Sequence, residues 1–283
     1  MAPSGGIVWL ASFPKSGNTW FRIVLANLAA GEGGPADIND LDEHGGIASS
    51  RREFEAVTML DSGLLSQDDI DNLRPRVYEN LAKDATEQRW IKVHDAYTYT
   101  LAGEPLLGKS AASAAIYLVR DPRDIAVSLA FHNNTTIDDA VKLVNAADSG
   151  SCRGRKGLAL QLRQKLSGWS GHVASWIEQT DVPVHMVRYE DLVATPVQSF
   201  GVALGFAGIH ATIAEVERAI RHADFAELRR QESERGFAER MSRHVPFFRS
   251  GRAGAWREAL TAEQAGAIER RNGTLMAKLG YEL

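Results

Sequence analysis

Cysteine is all but missing from this sequence: Cys152 stands alone among 283 residues. That excludes an intramolecular disulfide or a thiolate metal cluster, so packing has to hold the fold. An excess of one charge is missing too. Lys and Arg number 32 against 36 Asp and Glu, a formal charge of −4, too balanced to coat nucleic acid through an overall basic field. No run of about 18 apolar residues occurs, the length a membrane-spanning helix needs. The apolar stretch Ile7 to Phe13 is far shorter, and Met1 to Gly6 lacks the Lys or Arg of a secretory leader. These absences predict a cytoplasmic protein with neither membrane nor nucleic-acid partners, and leave its oligomeric state open.

The composition that remains, 44% hydrophobic and 24% charged with 25 Gly and 9 Pro, is that of a globular chain with a sizeable core. Ile7 to Phe13 reads as a strand covered on both faces, Pro14 ends it, and Thr19 to Ala30 has helical period before Gly31-Glu32-Gly33-Gly34-Pro35 stops it. Arg89 to His94, Ala114 to Val119 and Val184 to Arg188 read as further strands. Helices are predicted near Ser66 to Leu81, from Pro122 through Phe131, and over Val197 to Phe206, Thr212 to Ala223 and Thr261 to Leu279. Leu162, Leu166, Trp169, Val173 and Trp176 fall on one helical face, which assigns both tryptophans to packing. Asp37 to Asp71, with ten acids against Arg51 and Arg52, reads as peripheral, and Asn133 to Lys156 shows little periodicity. With no repeat and no linker, the expectation is a single α/β domain over residues 1–283, a central parallel sheet flanked by helices and carrying mobile insertions.

The segment Phe13-Pro14-Lys15-Ser16-Gly17-Asn18-Thr19-Trp20 lies between the first strand and the first helix. Gly17 permits a tight turn, the new helix amino terminus offers amides, and Lys15, Ser16 and Thr19 add a charge and two hydroxyls. Such a turn asks for a polyanion, although a merely capped helix start has the same outline. The ATPase pattern G-x-x-x-x-G-K-[ST] is not met, because Lys15 precedes Gly17.

FPKSGNTW resembles the 5′-phosphosulfate loop of the cytosolic-type sulfotransferases, and later motifs follow in that family's order over most of the chain. The resemblance implies a fold related to the P-loop nucleotide kinases. It also implies 3′-phosphoadenosine 5′-phosphosulfate (PAPS) as sulfuryl donor, adenosine 3′,5′-bisphosphate (PAP) as product, and no metal. Tyr117-Leu118-Val119-Arg120-Asp121-Pro122-Arg123-Asp124, continuing to Ser128, resembles the 3′-phosphate motif, and Arg120 and Ser128 inherit that role; Arg123 reads instead as part of a surface ion-pair set. Arg249 and Gly251 match the family's RKGxxGxW segment and inherit 3′-phosphate contacts, while Ser250 replaces its usual Lys. Between Arg240 and Arg257 lie five arginines and no acid, which suits a lid over a polyanion or a solvated basic face.

In Trp90-Ile91-Lys92-Val93-His94, strand alternation puts Lys92 and His94 on one side, and His94 can titrate near neutrality and take the proton of an attacking hydroxyl. This looks like the family's catalytic strand, with Lys15 and Lys92 neutralising the transferring group, although Asp95-Ala96 replaces the apolar-Pro pair common in animal enzymes. Trp20 and Phe225 are placed like the family's adenine-stacking residues, and Tyr189 opens a Tyr-Glu-Asp element similar to its own; each also suits a core. Ser16, Gly17, Asn18 and Thr19 complete the implied donor set. The acid-free stretch Ser149 to Ile177, with Arg153, Arg155 and Lys156, suits a solvated lid better than an acceptor border. The implied acceptor is a small or medium-sized hydroxyl compound, a phenol, sugar or natural product. The alternatives are a small-molecule kinase using ATP and Mg²⁺, or a nucleotide-binding protein without turnover.

Overall fold

The computed structural model describes residues 6–41, 46–152, 159–240 and 245–283. Strand β1 (Ile7–Ser12) is followed by α1 (Asn18–Ala29), α2 (Arg51–Thr58) and α3 (Gln67–Lys83). Then come β2 (Arg89–Val93), β3 (Ala112–Val119), α4 (Pro122–Asn133) and α5 (Ile137–Asn145). A short antiparallel pair, β4 (Gly150–Ser151) and β5 (Gln164–Lys165), precedes α6 (Gly168–Glu178) and β6 (Val184–Arg188). The chain closes with α7 (Tyr189–Ala194), α8 (Pro196–Phe206), α9 (Ile213–His222), α10 (Phe225–Arg235), α11 (Trp256–Ala259) and α12 (Ala262–Lys278).

The main sheet has the order β2-β1-β3-β6, and every pairing is parallel. From β1 the chain moves to β2 on one flank and later returns to β3 on the other. Such a reversal opens a crevice at the carboxyl ends of the strands. Alternation along the strands builds two cores. Ile7, Trp9 and Ala11, with Tyr117 and Val119, pack against Tyr78, Trp169, Trp176 and Ile268. Val8 and Leu10, with Ile116 and Leu118, pack against Phe21, Val24, Phe200 and Val216 on the opposite face. The expected α/β class with a helix-flanked parallel sheet is the observed one, and Trp169 and Trp176 are wholly buried as packing residues.

Several local expectations need correction. The single helical face from Leu162 to Trp176 is broken: Ser167 and Gly168 have φ of 59° and 65°, and a Cβ on Gly168 would lie 3.0 Å from the Ala146 carbonyl oxygen. Leu162 and Leu166 are buried from irregular chain around β5 instead. Helix α5, which Thr136 caps by accepting from the Asp139 amide, lies where little periodicity was visible, and α10 precedes the arginine-rich segment. Nor is the acidic stretch peripheral. Ile38, Leu41 and Phe54 are buried, and residues 46–48 run beside β2, with Lys92 N donating to Gly46 O at 3.1 Å and Ala48 N to Lys92 O at 2.8 Å. Parts of that stretch (42–45), of the basic run after Cys152 (153–158) and of the expected lid (241–244) lie outside the described residues.

Candidate active site

The strand ends deliver the site. After β1, Lys15 (φ 72°) and Gly17 (φ 102°) both adopt left-handed backbone. For a lysine that conformation costs on the order of 1 kcal/mol and persists only where surroundings enforce it. Asn18 supplies the fastening, its Nδ2 donating to Leu10 O at 2.9 Å and to Ser12 Oγ at 3.3 Å. The Tyr189 ring closes the other side: a Cβ on Gly17 would lie 2.7 Å from Tyr189 Cδ2. Helix α1 then begins with neither a side-chain cap nor an acid in its first turn, so its positive end is left uncompensated by its own sequence.

His94, one residue beyond β2, approaches Ser12 across the sheet. Its Nδ1 lies 2.8 Å from the Ser12 carbonyl oxygen and 3.2 Å from Ser12 Oγ. A carbonyl can only accept, so Nδ1 carries the proton and Nε2 carries the lone pair. Behind it, His172 Nε2 donates to the His94 carbonyl at 3.0 Å, which leaves His172 Nδ1 to accept from Tyr117 OH at 2.8 Å. Asp95 is wholly buried against Arg74, with contacts of 2.7 and 3.3 Å, and also accepts from Lys165 N at 3.0 Å. In place of the apolar-Pro pair, Asp95 thus forms a buried ion pair with Arg74 that anchors the chain beside His94.

After β3, Arg120 donates to the carbonyls of Lys15 (3.1 Å) and Arg252 (3.0 Å), and its guanidinium lies 4.2 Å from the Tyr189 ring centroid. Asp124, one helical turn on, accepts from Gly254 N at 2.7 Å and Trp256 N at 2.9 Å, which ties the carboxyl-terminal segment to α4. Arg123 is not a surface residue: it is buried, paired with Asp121 and Glu269, and stacked on Trp256. Gly251 (φ 63°) lies under the Phe225 ring, where a Cβ would come within 2.7 Å of Cδ2. The Arg249 guanidinium sits 4.0 Å from the centre of Phe131.

The strand ends open into one cleft of about 990 Å³. Lys15, Gly17, Asn18, Thr19, Trp20, Lys92, His94, Arg120, Ser128, Tyr189, Phe225, Arg249 and Gly251 all border it. Of the implied catalytic and donor-binding residues, only Ser16 does not border it, its side chain being buried within the loop. Trp20 donates its indole N–H to Ala223 O at 3.1 Å, which holds it near Phe225. Sequence reasoning missed Arg22, Asp124, His132, Glu239 and Phe247; only Asp124, inside the Arg-Asp-Pro-Arg-Asp run, carried a local signal. Ile47, Leu143, Leu160 and Leu166 add an apolar wall.

Electrostatics mark the cleft as cationic. Burial, with Lys92 and Arg120 nearby, lowers the Lys15 ammonium to about 7. Burial, with Lys92, holds His94 down to about 3, so it is a neutral imidazole at physiological pH and does not titrate near neutrality as an isolated strand-end histidine would. Burial, with Arg120 and Arg252, also lowers Arg249. Arg120 borders the cleft with its Nε a buried donor without a partner among the described residues, and Ser16 Oγ just behind the loop surface is likewise unpartnered. Unsatisfied donors within a set of mutually repelling cations fit an anionic ligand carrying several oxygens. Among the described residues no cluster of three or more His, Cys, Asp or Glu is placed to hold a metal ion. No described helix is long and apolar enough to cross a membrane.

Fold and site together define an α/β protein with a cationic cleft at the carboxyl edge of a parallel sheet, and with a neutral histidine beside its lysines. The chain belongs to the sulfotransferase domain family, which it matches over residues 6–280. It is 29% identical over 126 residues to luciferin sulfotransferase of Photinus pyralis, covering 44% of this chain and 32% of that protein's length. It is 22% identical over 273 residues to cytosolic sulfotransferase 17 of Arabidopsis thaliana, covering 92% of this chain and 71% of the relative. The fold is similar to that of retinol dehydratase in complex with androsterone and inactive cofactor PAP, with a TM-score of 0.62 at 19% identity over 98% of this chain and 82% of that one. It is also similar to mouse sulfotransferase SULT7A1 complexed with PAP, with a TM-score of 0.57 at 20% identity over 96% and 85% of the two chains.

Proposed function

We propose that this protein transfers a sulfuryl group from PAPS to the hydroxyl of a small or medium-sized acceptor. The observation that carries the reading is the His94 arrangement: the Ser12 carbonyl fixes the proton on Nδ1, leaving the Nε2 lone pair of an imidazole in the same cleft as Lys15 and Lys92. PAP in two solved structures of similar fold supports the choice of nucleotide. The apolar wall supports an acceptor with a hydrocarbon or aromatic body, such as a phenol or a natural-product alcohol.

When bound, PAPS supplies an activated sulfur atom whose leaving group is the 5′-phosphate oxygen. The phosphosulfate belongs with the Lys15 to Thr19 loop, the 3′-phosphate with Arg120, Ser128, Arg249 and the Gly251 amide, and the adenine with Trp20 and Phe225. Tyr189 acts through its packing on Gly17 and Arg120. Asn18 turns its side-chain amide back to β1 and contributes its place at the start of α1. His94 Nε2 accepts the acceptor's hydroxyl proton as its oxygen bonds to sulfur and the bond from sulfur to the bridging oxygen breaks. Lys15 and Lys92 offset the negative charge that grows on the departing oxygen. Positioning and fixed charge supply most of the rate.

A single-turnover experiment with radiolabelled PAPS and a panel of phenols and alcohols tests this. Label should move to an acceptor, and His94→Ala should slow transfer by about 10²- to 10⁴-fold while PAP affinity changes little. Undiminished transfer by that variant would remove His94 from the mechanism.

A further inference from the structure

Three donors from two elements converge on one carboxylate that the proposed reaction does not use. Lys92 Nζ and Thr19 Oγ1 each lie 3.1 Å from Glu239 Oε2, and Arg22 pairs with Oε1. The cluster is largely shielded, with side-chain exposures of 12% for Lys92, 8% for Arg22 and 27% for Glu239. Its geometry does not rest on a loose tail. Asn39 clamps the backbone just before Glu239, donating to Gly236 O at 3.3 Å and accepting from Ala238 N at 2.8 Å. Lys92 and Arg22 hold the carboxyl down to about 2 despite its burial, so Glu239 is ionised at any working pH.

The groups that Glu239 engages are among those the cleft would offer a donor. Thr19 belongs to the phosphate-type loop, and Lys92 lies beside the histidine. A carboxylate and a phosphosulfate oxygen make the same demand on an ammonium and a hydroxyl, and both cannot be met at one place in a low-dielectric cleft. We propose that Glu239 is a built-in competitor of the nucleotide anion: it holds Lys92 and Thr19 until the donor displaces it, and by returning to them it promotes product release. This rests on the donor-site reading above. With the backbone pinned by Asn39, displacement is a rotation of the Glu239 side chain, and the residue sets nucleotide affinity.

Calorimetry with PAP on the full chain tests the proposal without requiring turnover. Glu239→Gln keeps the shape and removes the charge; it should bind PAP at least ~10-fold more tightly than wild type, equivalent to about 1.4 kcal/mol. Glu239→Asp keeps the charge but withdraws it by one methylene, and should tighten binding to a lesser extent. Glu227→Gln changes the net charge identically at the exposed Arg230 pair and should leave affinity unaltered. Should Glu239→Gln prove too unstable for calorimetry, the rise in its melting temperature on adding PAP should still exceed that of wild type. Affinities for the Gln and Asp variants equal to or weaker than wild type would overturn the competitor role while leaving the donor site standing. Absence of PAP binding in every protein, wild type included, would overturn the donor-site reading and this inference with it.

Discussion

Tyr189 lies so close to Gly17 that a single added methyl group would sit 2.7 Å from its ring. Two constraints therefore meet at one residue: a φ of 102° that disfavours any side chain, and no space for one. Gly17→Ala should force the loop or the ring to shift and weaken PAP binding by at least ~30-fold, read by calorimetry. Affinity within about 3-fold of wild type would show that the turn does not shape the anion site.

The pH dependence of kcat/KM has a sign set by two shifted groups. Free His94, held down to about 3, is already the neutral base at neutral pH, so no ascending limb is expected between about pH 6 and 8. Lys15, lowered to about 7, loses its proton as pH rises through that value, and its attraction for the donor goes with it. The expected profile is flat on the acid side of neutrality and falls above about pH 7. Lys15→Arg, which stays charged, should remove the descending limb. An ascending limb centred near pH 6.5 that disappears in His94→Ala would contradict this account of His94.

Asp124 is the tie between α4 and the segment that carries Arg249 and Gly251. Replacing it with Ala removes the acceptor of two backbone amides at 2.7 and 2.9 Å. Local opening around Gly254 and Trp256 should then become easier by about 1.5–3 kcal/mol, visible as faster amide hydrogen exchange in that segment. Unchanged exchange would mean that packing, and not this carboxylate, holds the segment closed.

The parts of the site legible in the sequence were those built locally. The loop from Lys15 to Thr19, the Lys92 and His94 pair and the Arg120 turn each sit where a buried strand stops, and a short apolar run ended by polar or turn residues marks such a strand locally. What was hidden depends on contacts distant in sequence. Arg22 looks like an ordinary helix residue until Glu239, 217 positions away, is folded against it. Asp95 looks like a loss of the usual apolar-Pro pair until Arg74 is seen opposite. The Leu162 to Trp176 pattern misled because buried leucines in irregular chain beside a short strand can mimic a helical face, and only the left-handed backbone at Ser167 and Gly168 separates the two.

A cleft built for a nucleotide bearing a 3′-phosphate must separate PAP from adenosine 5′-monophosphate, and calorimetry compares the two. Arg120 enters the cleft with its Nε unpartnered and Arg249 nearby, and charge-assisted bonds to a phosphate are strong and geometrically demanding. PAP should bind at least ~30-fold more tightly, about 2 kcal/mol, without Mg²⁺, and Arg120→Ala should lose most of that preference. Equal affinity for the two nucleotides, or a strict Mg²⁺ requirement with ATP preferred over both, would contradict it.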